Sequence, residues 1–81
     1  MQIQKGIRKP LGYVARYRVV VFLDPSVEVE KQMHDFPLQP GESWLPSIDQ
    51  ANRVYVCMDR PLMTPQQSAW LLERAVKWEY V

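Results

Sequence analysis

The sequence is short of the residues that give a small chain chemistry or covalent support. A single cysteine, Cys57, excludes an internal disulfide, and with the single histidine, His34, it cannot complete a structural zinc site. The three glycines are scattered and form neither a Gly-x-Gly-x-x-Gly turn nor a phosphate loop, and Ser26, Ser43, Ser47 and Ser68 lack the context of a nucleophile elbow. No apolar run approaches the roughly 18 residues of a membrane span. Met1 to Lys5 lacks the apolar core of a signal peptide. The composition therefore points to a cytoplasmic protein with no cofactor, no metal and no membrane partner.

What is present suits one folded domain over residues 1–81. Hydrophobic residues make up 47% of the chain, too many for disorder. A chain of this length buries only about 60 to 65% of the surface that it exposes when unfolded, and such scaffolds are usually stable by about 3 to 5 kcal/mol. With no disulfide or metal to add to this, a protein partner or a second copy is the remaining source of support. Charge is near balance at +1 but unevenly spread. Lys5, Arg8, Lys9, Arg16 and Arg18 precede the first acid, Asp24, and Glu28, Glu30 and Asp35 follow it closely, which gives the molecule a positive and a negative end.

Tyr13 to Leu23 reads as the main strand, aromatic and β-branched, and closed by Asp24-Pro25. Alternation puts Tyr13, Ala15, Tyr17, Val19, Val21 and Leu23 on one face, and Val14, Arg16, Arg18, Val20 and Phe22 on the other. Arg53 to Asp59 is a second strand, with Val54, Val56 and Met58 opposite Tyr55 and Cys57, and Ile3 to Ile7 forms a marginal third. Ser26 is placed to cap a short helix over Val27 to Asp35, although Val27 and Val29 also fit a strand. Residues 36–46 carry three prolines and a glycine, which preclude a helix or a central strand and predict a loop. Trp44 in that loop either plugs the core or makes contacts outside it.

Thr64-Pro65-Gln66-Gln67 has the capping residue, the proline at the first helical position and the glutamine of a capping box. The helix is expected to run almost to Val81. At about 100° per residue, Ser68, Leu71, Leu72, Ala75, Val76 and Tyr80 form the stripe that covers the sheet. The expected fold is α+β, a small two-layer sandwich of a two- or three-stranded sheet under a C-terminal amphipathic helix.

Three sets of residues bear on function. Cys57 and His34, with Asp35 or Asp59 to orient them, are the sole nucleophile-and-base candidate, set against a cysteine that is a buried hydrophobe and a histidine that ends a helix. Arg8, Lys9, Tyr13, Arg16, Tyr17 and Arg18 interleave charge with aromatics, as RNA and single-stranded DNA binders do, but alternation aims the tyrosines away from Arg16 and Arg18. On the helix, the stripe turns Trp70 outward beside Arg74 and Lys77, with a cation–π contact to Arg74, unless the proline-rich loop folds over it. Pro37-Leu38-Gln39-Pro40 is formally a polyproline ligand motif and fits a rigid connector better.

These readings favour a non-enzymatic protein-binding module that uses Trp70, Arg74 and Lys77. Its size suits a small inhibitor or accessory regulator of a larger, nucleic-acid-processing complex, such as a viral or mobile-element anti-defence protein. Nucleic-acid binding through the basic N-terminal region is the alternative, and a small ribonuclease is a distant third. Sheet edges left open would also permit a homodimer.

Overall fold

The computed structural model describes residues 16–81. Arg8, Lys9, Tyr13 and the marginal strand Ile3 to Ile7 lie outside them. The described elements are β1 (Tyr17–Phe22), α1 (Val29–Met33), β2 (Ser43–Pro46), β3 (Arg53–Met58), α2 (Pro65–Arg74) and β4 (Lys77–Tyr80). They build a four-stranded antiparallel sheet in the order β2-β3-β1-β4, with the helices on one side of it. The sequence β-α-β-β-α-β makes two interleaved split β-α-β units, the connectivity called ferredoxin-like. Alternation assigns β1 and β3 correctly: Val19, Val21, Leu23, Val54, Val56 and Met58 are buried on the helix side. Tyr17, Trp44 and Trp78 pack against that cluster at its margin.

Two expectations require correction. Among the described residues the sheet has four strands, not two or three, because β2 arises from the end of the predicted loop and β4 from the end of the predicted helix. Ser43–Pro46 contains a proline and still pairs with β3, which an edge strand permits where a central strand would not. The second helix stops at Arg74, since Ala75 turns extended and the Val76 N–H bonds the Phe22 carbonyl. Aromatic Trp78 and Tyr80 then pair with β1, a tertiary contact that outweighs local helix propensity.

The shorter helix buries a different arc. Gln67, Trp70 and Leu71 face the core, whereas Leu72 is 78% exposed and Val76 67% exposed. Val76 and Tyr80 helped to define the expected stripe, but neither belongs to the helix, and without them its centre moves toward Trp70. The start of α2 is as expected: the Thr64 side chain accepts from the Gln67 N–H, and the Gln67 side chain accepts from the Thr64 N–H. The first helix, α1, is shorter than expected and begins after Glu28 rather than Ser26. Ser26 bonds the Asp24 carboxylate through both its N–H and its hydroxyl, which holds the Asp24-Pro25 turn.

Gln67 is fully buried and uses its whole hydrogen-bonding capacity. Its amide donates to the Pro37 carbonyl and the Glu42 carboxylate, each at 2.8 Å. Its oxygen accepts from Thr64 N and from the Arg60 guanidinium. Glu42, 2% exposed at its side chain, also accepts from Arg60 and from the Gln39 N–H. The carboxylate reaches inward because Gln39-Pro40-Gly41-Glu42 is a tight turn closed by Glu42 N to Gln39 O, with Gly41 at φ +85° where a side chain would strain the backbone. This network ties the proline-rich segment to the start of α2.

Candidate functional site

The expected Trp70 surface is not exposed. Trp70 is 8% exposed and packs edge-on against Phe36, with ring centres 5.0 Å apart, while its indole N–H reaches Asp35 at 3.4 Å. The segment at the start of the proline-rich stretch folds over it, the alternative that the sequence left open. Arg74 does lie over the Trp70 ring, at 5.1 Å, and donates to Asp35 at 2.6 Å. That bond, with a smaller contribution from the Trp70 N–H, holds the Asp35 carboxyl below its ordinary range against the opposing pull of desolvation. Lys77 is parted from both, because it sits on the far side of the sheet over Phe22, 4.7 Å from the ring centre.

The other face of the sheet carries a different cluster. Residues directly opposite in paired strands share a face. The register Arg18–Cys57, Val20–Tyr55 and Phe22–Arg53 therefore puts these six side chains together, with Ser43 and Leu45 from β2 and Lys77 and Glu79 from β4 beside them. No described helix or strand covers this face. At its centre the Tyr55 ring lies between two guanidiniums: Arg18 at 5.8 Å, diagonally across from it on β1, and Arg53 at 5.6 Å, two residues before it on β3. Arg53 is steered by Ser47 at 2.9 Å and Asp49 at 3.2 Å. Its Nε is buried with no hydrogen-bond partner among the described residues. Leu45, 57% exposed, supplies an apolar flank.

Cys57 belongs to this face, yet burial pushes its thiol pKa up, against the weaker opposing effects of Arg18 and a Ser43 hydrogen bond. A raised pKa lowers the thiolate fraction that nucleophilic chemistry needs. His34 lies at the end of α1, in the helix layer, where Nδ1 sits 3.0 Å from the Lys31 carbonyl. The two sequence candidates for nucleophile and base are thus on different layers. Among the described residues, no group of three or more His, Cys, Asp or Glu side chains is placed to hold a metal. No helix among them is long and apolar enough to cross a membrane.

Of the basic and aromatic set, Arg16 and Arg18 are exposed, and Tyr17 packs against the core cluster on the helix side. The sequence reading anticipated that separation. It missed Tyr55 as the aromatic partner of Arg18, although alternation along β3 had already turned Tyr55 and Cys57 to the same side; the absent information was the pairing of β1 with β3. No family model, curated protein or solved structure matches the chain.

Proposed function

We propose that this protein is a non-enzymatic protein-binding module that presents the helix-free face of its sheet to its partner, in the manner of an accessory or inhibitory subunit. The observation that carries the reading is Tyr55 held between Arg18 and Arg53 on a face that no described element covers. Tyrosine and arginine are the side chains enriched at interface hot spots, and here their geometry is set in advance by two central strands. The mixed charge favours a protein surface. Asp49 already engages Arg53, and Glu79 lies beside Lys77 in β4.

The test is affinity capture from native lysate with wild type beside Arg18→Ser/Tyr55→Ala, each shown to be folded by its thermal transition. A defined protein held by wild type and released by the double variant supports the reading. One specific observation favours single-stranded nucleic acid as the second reading: Arg18 meets the Tyr55 ring, which supplies the stacking partner that Tyr17 cannot. Oligonucleotide affinity that falls steeply with salt and is lost in the same double variant would transfer the site to that ligand.

A further inference from the structure

The described sheet has two edges, β2 and β4, and they are not equivalent. In an antiparallel ladder, alternate residues direct their backbone groups to one neighbour or the other. In β2, Ser47 N bonds Arg53 O, so positions 43, 45 and 47 face β3 while positions 44 and 46 face outward. Position 46 is proline and has no N–H to offer, which blunts that edge.

In β4, Val81 N bonds Arg18 O, so positions 77, 79 and 81 face β1. Trp78 and Tyr80 then face outward with their N–H and C=O groups intact. No described residue pairs with that edge. Its side chains are polar in one pattern only: Lys77 and Glu79 share the helix-free face and flank Trp78.

We infer that β4 pairs with β4 of a second copy of this chain, antiparallel and about a two-fold axis at Trp78. Backbone parity allows outward-facing residues to meet only one another. The register centred on Trp78 lets the Trp78 N–H of each copy donate to the Trp78 carbonyl of the other.

The same register sets Lys77 opposite Glu79 of the second copy, twice, by symmetry. The neighbouring register allowed by parity centres on Glu79 and sets two carboxylates against each other, which is unfavourable directly across a strand pair. Charge complementarity thus favours the Trp78-centred register over its Glu79-centred neighbour. A two-fold axis perpendicular to the sheet keeps both helix-free faces on the same side. The two Tyr55 clusters then share one continuous eight-stranded surface, separated by five strand spacings or about 24 Å.

Sedimentation equilibrium over a broad concentration range tests this with wild type, Lys77→Glu, Glu79→Lys and the double exchange Lys77→Glu/Glu79→Lys. Thermal transitions at the lowest concentration establish that each variant folds; if one single variant does not, the other carries the comparison. The expected result is a wild-type dimer, dissociation about tenfold easier in each single variant, and recovery in the double exchange. A wild-type monomer throughout, a dimer indifferent to Lys77→Glu, or no recovery in the double exchange overturns the inference.

Discussion

The Arg74 guanidinium stacks over the Trp70 indole at 5.1 Å, and both donate to the single carboxylate of Asp35. This joins the last turn of α2 to the residue just past α1, and the Phe36 ring closes the remaining side. Trp70 is therefore a structural anchor between the helices.

Trp70→Ala removes a buried indole and the edge-to-face contact with Phe36. Loss of a buried tryptophan costs about 3 to 5 kcal/mol, comparable to the whole margin of a domain this size. Thermal denaturation should show an unfolded or barely folded variant, with Trp70→Phe intermediate. A melting temperature within a degree or two of wild type would return Trp70 to the surface.

Glu42→Leu leaves Arg60 and the Gln67 amide without their carboxylate. A buried pair broken at one partner costs about 3 to 5 kcal/mol when fully enclosed. Arg60 keeps 35% of its side-chain exposure and can turn to water, which brings the expected loss to about 2 to 3 kcal/mol. Urea denaturation checks this, and Gln67→Leu should fall in the same range because it leaves the Pro37 carbonyl and the Thr64 N–H without their side-chain partner.

Acid should weaken the fold through three carboxylates. Ser26 holds Asp24 low, Arg74 does so for Asp35, and Ser47 does so for Asp49. With folded pKa values depressed, the stability that they contribute is present above the unfolded value, near 3.9, and is lost as pH falls through the folded values. A melting-temperature profile should be flat near neutrality and fall below about pH 4. Asp35→Asn should lower the neutral plateau and shrink the acid drop; an unchanged drop in that variant would remove Asp35 from the cause.

Cys57 should behave as a packing residue. Its raised thiol pKa predicts alkylation by iodoacetamide slower than that of a free thiol at the same pH, and Cys57→Ser should leave partner binding unchanged. Rapid alkylation at neutral pH, or binding lost with the fold retained, would contradict this.

Local signals were legible where backbone chemistry decides the outcome. The Thr64-Pro65-Gln67 cap and the alternation of β1 and β3 could be read directly, since each depends on residues within a few positions. The last residues of the chain could not. Lys77–Tyr80 has helix-compatible spacing, and only pairing with Val19 to Phe22 makes it a strand. That single change truncated α2, removed Val76 and Tyr80 from its stripe and turned Trp70 inward. The candidate face was half legible: Tyr55 and Arg18 each had an assigned side, but the register that joins them across β1 and β3 is long-range information. The network of Gln67, Glu42 and Arg60 carried no sequence signal beyond the capping role of Gln67, because its members come from three separate segments.

Binding is assigned to the Tyr55 face, and the most direct measurement is capture by wild type, by Arg18→Ser/Tyr55→Ala and by Arg74→Ala in parallel, each shown by its thermal transition to be folded at the capture temperature. The prediction is a partner protein retained by wild type and by Arg74→Ala and lost from the double variant. Equal retention by all three would place the binding surface elsewhere and contradict the central claim.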